Sequence, residues 1–203
     1  MLVKHNNNSI SSITTPGSLA QGKMTLISSQ TASGSASIEF TSGIDSTYPI
    51  YRFEFINIHA GTAGAEFQFQ SSTDGGSNYN VATTTTMFQA YHKEDDTENA
   101  LAYSTTHDSA QSTSFITIGF NNYTDNDNNL SGTFIFFNPS STTFVKHFIS
   151  TTNNLHNDTV NLIQNMYMAG YANTTSSINA IKFIMSSGNI DSGTIKLYGI
   201  KGD

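Results

Sequence analysis

A period of two constrains this chain more than any other feature. In the run Ala65-Glu66-Phe67-Gln68-Phe69-Gln70, apolar and polar side chains alternate without a break. An extended backbone puts Phe67 and Phe69 on one side and Glu66, Gln68 and Gln70 on the other. That is a strand with one buried face and one wet face. The same pattern, rich in aromatic and β-branched residues, predicts strands near 24–30, 36–41, 50–58, 65–71 and 85–92. Further strands are predicted near 113–120, 132–138, 142–151, 163–172, 178–186 and 193–200. No segment carries a helical apolar stripe of useful length. The nearest helical candidate, residues 160–168, also reads as a strand, and the strand reading is preferred.

The connections supply the turn chemistry. Asp74-Gly75-Gly76-Ser77-Asn78, Asp125-Asn126-Asp127-Asn128-Asn129 and Ser187-Gly188-Asn189 tolerate positive φ or bond their own backbone, and so suit hairpin tips. About ten strands joined in this way predict an all-β fold, a two-sheet antiparallel β-sandwich of jelly-roll type. Such a sandwich leaves sheet edges that oligomerisation or a docked segment has to cover.

The domain plan follows from composition. Residues 1–23 are polar and poor in aromatics, with Asn6, Asn7 and Asn8 in a row and a Pro16-Gly17 breaker. Such a stretch cannot offset its own ordering entropy by burial within the chain, so it is expected to be an extended N-terminal arm that docks on neighbours. Residues 24–203 are expected to form a single β-sandwich domain. Hydrophobic residues make up only 36% of the 203, but 14 Phe and 9 Tyr are too many for a disordered chain and enough for one thin core.

Charge excludes several partners. The net charge is -7 with eight Lys plus Arg, scattered singly, and Arg52 is the only arginine. Neither a nucleic-acid backbone nor an anionic membrane is matched by this distribution. There is no Cys, which excludes disulfides, thiolate metal sites and Cys nucleophiles. The opening MLVKHNNNSISS lacks the apolar region of a secretory signal, and no apolar run approaches the roughly 20 residues that span a bilayer. A soluble protein assembled where it is synthesised is expected.

Sites with chemistry are few. Asp125, Asp127 and Asn129 alternate as oxygen ligands do in the first half of an EF-hand loop. However, positions six and twelve are Leu130 and Phe136 where a Ca²⁺ loop needs Gly and Glu, so a polar turn is preferred. The run His92-Lys93-Glu94-Asp95-Asp96-Thr97-Glu98 is the one dense charge cluster. It reads as a solvated loop rather than a metal site, and as a rim feature suited to a basic neighbour. Neither a G-x-S-x-G elbow nor an H-E-x-x-H helix occurs. No catalytic, cofactor-binding or metal-ligating residue is therefore assigned, and the chain is expected not to be an enzyme. Aromatic platforms for sugars would have to be Tyr, because Trp is absent.

Four stretches carry a resemblance. They are FEFINIHAG (53–61), FQFQSSTDGGSNYNV (67–81), FIFFNPSSTTFVKHF (134–148) and INAIKFIMSSGNIDSGTIKLYGIKGD (178–203), the last read as a C-terminal hairpin. Together they resemble a group of small virion proteins of marine tailed bacteriophages, over roughly residues 24–203. In that group DGG and SGT-x-x-LYGI stretches accompany jelly-roll modules of tail fibres, head fibres and capsid decoration proteins. The motifs are structural, so no functional residue is carried over. The resemblance implies a non-enzymatic virion structural protein, assembled in the host cytoplasm. Its foremost role would be a capsid decoration or cement protein docking through the arm onto other virion proteins, as a homo-oligomer expected to be a trimer. The alternatives are a tail or head fibre module that reads the host surface through loops around 92–100 and 121–131, and a lectin-like domain that binds a glycan.

Overall fold

Each run predicted to be extended forms a strand in the computed structural model, which describes residues 24–157 and 161–201. The expected arm at 1–23 lies outside the described residues. In chain order the strands are β1 (Met24–Ser35), β2 (Ile38–Phe40), β3 (Ile50–Ala60), β4 (Ala65–Ser72), β5 (Thr83–Lys93), β6 (Asn99–Tyr103), β7 (Ser109–Ser112), β8 (Ile116–Asn122), β9 (Leu130–Phe137), β10 (Lys146–Asn157), β11 (Asn161–Ala172), β12 (Ala180–Met185) and β13 (Ile190–Ile200). The described residues contain no helix.

Two antiparallel sheets form a sandwich. The larger has the order β1-β13-β3-β9-β10-β11-β5-β6, with β7 also pairing β5, and the smaller has the order β2-β12-β4-β8. The set β1-β13-β3-β9 opposite β2-β12-β4-β8 is the jelly-roll order, in which successive strands of the set pass between the two sheets except β4 and β8, which pair within the smaller one. The remaining strands are insertions. The pieces β5, β6 and β7 fall between β4 and β8, and β10 and β11 fall between β9 and β12. They extend the larger sheet beyond β9.

This order corrects the hairpin expectation. The turns at Asp74–Asn78, Asp125–Asn129 and Ser187–Asn189 join β4 to β5, β8 to β9 and β12 to β13, each pair lying in opposite sheets. None closes a hairpin, and the C-terminal segment is not one. Turn chemistry specifies a reversal of the chain; the strand's partner is chosen by packing across the sandwich. The expectation also missed β6 and β7. Their sequences, NALAY and SAQS, are short and contribute no residue to the buried core.

The core fills the space between the sheets with aromatic rings. Phe183 of β12 lies 5.4 Å from Phe53, 5.2 Å from Phe55 and 5.8 Å from Phe67, and Phe69 lies 4.7 Å from Phe134. All six are buried, and burying each ring contributes about 1.5–3 kcal/mol. Two glycines of the quoted motifs are required by geometry. Gly76 has φ 92° and a Cβ there would meet the Tyr79 hydroxyl at 2.7 Å; Gly193 has φ 118° and would meet the Asn57 carbonyl at 2.6 Å. An L side chain fits neither place.

One sheet edge is closed by side chains. Strand β8 ends the smaller sheet. From the facing sheet, Thr152 Oγ1 donates to the Ile118 carbonyl and Asn154 Nδ2 donates to the Phe120 carbonyl at 2.9 Å. These bonds satisfy edge carbonyls that would otherwise invite another strand, and they lock β8 onto β10.

Candidate functional site

The extension β10-β11-β5-β6 has two faces with different chemistry. Its inner face carries Phe148, Met168, Met166 and Met87, all buried. Its outer face is set by the register, which places Ile149 beside Ala169, Tyr167 beside Phe88, and Phe88 beside Tyr103. Phe88 is 42% exposed, Tyr103 53%, Ile149 48% and Ile163 49%. Isolated exposed apolar residues are ordinary, and a set gathered on one sheet face is a candidate interaction surface.

This face has relief as well as apolarity. The Phe88 and Tyr167 rings stack with centroids 5.0 Å apart and planes at 13°, forming a ridge. Beside it, a hollow of about 210 Å³ continues into one of about 460 Å³, the two sharing Thr86, Ile149 and Ala169. The small side chain of Ala169 leaves this depression between larger neighbours. Across β9, β10, β11, β5 and β6 no outward residue is Asp, Glu, Lys or Arg. Charge stands at the margins of this face: the Tyr103 hydroxyl donates to Asp108 Oδ2 at 2.7 Å, His92 Nε2 meets Asp96 Oδ1 at 3.0 Å, and on β3 Arg52 Nε pairs Glu54 Oε1 at 3.2 Å.

A second site lies on the inner side, where the extension runs past β8. Phe120, Asn121, Gln89, Tyr91, Gln164 and His156 line a cleft of about 220 Å³, with Leu162 and the Lys93–Glu98 pair at the same place. Gln164 donates through Nε2 to Gln89 Oε1. Its own Oε1 is buried with no hydrogen-bond partner among the described residues, and an orphan of this kind costs about 1–3 kcal/mol. At the rim Lys93 Nζ lies 2.7 Å from Glu98 Oε2, and the Tyr91 hydroxyl donates to Glu98 Oε1 at 2.6 Å. Lys93 first and Tyr91 second hold the Glu98 carboxyl below its usual range.

The charge cluster at 92–98 is the turn between β5 and β6. His92 Nε2 meets Asp96 Oδ1 at 3.0 Å, and the Thr97 hydroxyl and amide both donate to Asp95 Oδ1. Lys93 offsets Glu98, while Glu94, Asp95 and Asp96 leave the turn negative.

The loop at 125–129 is a turn too. Asn128 N donates to the Asp125 carbonyl at 2.9 Å, and His59 joins the loop to β13 through Asp125 O at 3.1 Å and Asp191 Oδ2 at 3.3 Å. Leu130 and Phe136, which stand where a Ca²⁺ loop needs Gly and Glu, are buried core residues of β9. Among the described residues no group of three or more His, Cys, Asp or Glu is arranged to hold a metal ion.

The loops around 92–100 and 121–131 do meet, because Lys93 and Glu98 from one and Asn121 from the other bound the same cleft. The outer apolar face was missed from sequence, although a signal exists. Met87-Phe88, Phe148-Ile149, Leu162-Ile163 and Tyr167-Met168 are adjacent apolar pairs, and in a strand adjacent residues face opposite sides. Both faces of these strands are therefore apolar. Comparison with protein families, with curated proteins and with solved structures finds no match. The fold and sites define a jelly-roll β-sandwich with an enlarged sheet, one apolar uncharged face and one polar cleft.

Proposed function

We propose that this chain is a non-enzymatic structural protein of a tailed-phage virion, a capsid decoration or cement protein that docks on other virion proteins through its N-terminal arm. Copies associate through the outer face of β10-β11-β5-β6. The observation that carries this reading is that face: apolar, uncharged and contoured. A chain of net charge -7 repels its own copies wherever carboxylates meet, and this face is where two copies approach without that penalty. A ridge beside a hollow lets each copy present one and receive the other, as self-association requires. The phage assignment rests on the resemblance of residues 24–203, and the expected copy number is three. Weak contacts repeated over symmetric copies then add by avidity.

The test uses particles of the phage that encodes the chain. The full chain is expected in purified virions, and a version lacking residues 1–22 is expected to fold and associate but not to be incorporated. Unchanged incorporation of the truncation overturns the role of the arm.

The second reading, a fibre module that contacts the host surface, is favoured by the cleft where the two loops meet. Purified protein that labels host cells or blocks adsorption supports it, and the absence of both favours decoration.

A further inference from the structure

Most strands at the sheet edges are blunted. Strand β8 has its Ile118 and Phe120 carbonyls taken by Thr152 and Asn154, β2 is three residues long, and β1 and β7 pair with register shifts. Short strands, bulges and occupied carbonyls each discourage another strand from adding. Strand β6 has none of these. It reads Asn99-Ala100-Leu101-Ala102-Tyr103, without Lys or Pro, and pairs β5 in unbroken register from Phe88 with Tyr103 to His92 with Asn99.

The register also shows which backbone groups of β6 are unused. Ser104 N donates to the Met87 carbonyl and Lys93 N to the Glu98 carbonyl, both at 2.9 Å. Bonds across an antiparallel pair recur at every second residue. Residues 98, 100, 102 and 104 therefore face β5, and the amides and carbonyls of Asn99, Leu101 and Tyr103 point away from it. No described strand lies on that side. Leu101 is 74% exposed there.

Charge narrows the occupant. The exposed residues Glu94, Asp95 and Asp96 precede β6, and Asp108 follows it. Two β6 edges paired about a two-fold axis would bring the acidic turn of each copy to the Asp108 end of the other. The incoming strand has instead to carry cations and no carboxylate. Residues 1–23 hold Lys4 and Lys23 and neither Asp nor Glu, which leaves -9 on the rest of a chain of net -7. Just before Pro16-Gly17 they contain Ile10-Ser11-Ser12-Ile13-Thr14-Thr15, rich in the β-branched residues that suit strands.

Reach decides whose segment it is. Met24 begins β1, at the opposite edge of the larger sheet. A strand added beyond β6 lies eight strand spacings from β1, about 38 Å in all. From Thr15 to Met24 an extended chain spans at most about 32 Å. The segment on β6 therefore comes from a neighbouring copy.

We propose that residues 10–15 of one copy add as a strand to the free edge of β6 in the next, through the backbone groups of Asn99, Leu101 and Tyr103, with Lys4 among the flanking carboxylates. Carboxylates lie beyond both ends of β6, so Lys4 meets one whichever way the added strand runs. Ile10 or Ile13 then covers Leu101. A pairing this short is marginal alone. It acts beside the outer-face contact that brings copies together, and in that respect rests on the association proposed above.

The chain has no Cys, so engineered cross-linking is the test. Full chains carrying Ile10→Cys or Ile13→Cys are mixed with full chains carrying Leu101→Cys in a glutathione redox buffer. A disulfide-linked heterodimer is expected for at least one of the two pairs, because facing residues of paired strands come within disulfide reach. Leu26→Cys on β1, where Leu26 is 51% exposed, is expected to give none. Adding Lys4→Glu to the arm-labelled chain is expected to slow the link about fivefold at low salt. The proposal is overturned by no heterodimer from either arm position, or by equal linking to Leu26→Cys. A Leu101→Cys homodimer that forms faster also overturns it, by making β6 of a second copy the occupant. An oligomeric mass in light scattering without the heterodimer leaves the outer-face reading standing. A heterodimer from chains otherwise monomeric refutes that reading and supports the strand addition.

Discussion

His107 lies flat on Phe120, with ring centroids 3.9 Å apart and planes within 4°. The stack ties the segment between β6 and β7 to β8 in the opposite sheet, and so fastens the end of the extension to the sandwich. His107 Nδ1 is 2.8 Å from Ser104 Oγ, and Nε2 is 3.6 Å from Glu66 Oε1. Burial pushes the imidazole below its ordinary value of 6.5, while the Glu66 carboxylate pulls it back up in part.

The pH dependence follows from that direction. As pH falls through 6.5, the unfolded chain takes up the proton before the folded chain does, so stability contributed by neutral His107 is lost from 6.5 downward to its lower folded value. His107→Phe keeps a ring on Phe120 and removes the titration. Thermal melts from pH 7.5 to 5 are expected to fall more steeply for the unsubstituted chain than for His107→Phe. Parallel curves for the two proteins contradict the assignment.

Asp74 holds the turn of the DGG motif. Its Oδ1 accepts from Ser72 Oγ at 2.6 Å and from the Asn78 amide at 2.9 Å, and Asn78 Nδ2 donates to Oδ2 at 2.7 Å. Ser72 and then Asn78 hold the carboxyl at about 2, down from 3.8. The turn is intact above 3.8 and loosens as pH falls toward 2. The Asn78 amide resonance is expected to titrate with a midpoint near that lower value; a midpoint at 3.8 shows the bonds to be absent in solution.

Phe183 sits among Phe40, Phe53, Phe55 and Phe67. Phe183→Ala is expected to cost about 3–5 kcal/mol in urea unfolding. A loss below ~1 kcal/mol means that the two sheets do not meet at this ring.

Lys146 is fully buried at the start of β10, where Nζ donates to the Phe144 carbonyl at 2.9 Å and the Thr174 carbonyl at 2.8 Å. Burial lowers the affinity of the amine for its proton. Lys146→Met keeps the stem and deletes both bonds, and is expected to destabilise by about 1–3 kcal/mol. A more stable variant in chemical unfolding refutes the view that these bonds outweigh the burial of the amine.

The alternation of Phe67 and Phe69 with Gln68 and Gln70 is local, so the sequence alone identifies β4 and its inward face. Strand partners are not local. Ser187-Gly188-Asn189 announces a reversal, but whether β13 pairs β12 or crosses to β3 depends on the whole sandwich. The outer face was half legible, since Met87-Phe88 and Tyr167-Met168 show two apolar sides without saying which is covered. The cleft was legible only as two polar loops. Gln89 and Gln164 are 75 residues apart, and only the pairing of β5 with β11 brings them together.

The most direct measurement of the central claim is the solution mass of the full chain by light scattering, beside a Phe88→Lys, Ile149→Lys double variant. An oligomer of trimer mass is expected for the unsubstituted chain and a folded monomer for the variant. A monomer at every concentration, or an oligomer of equal mass in the charged variant, contradicts it.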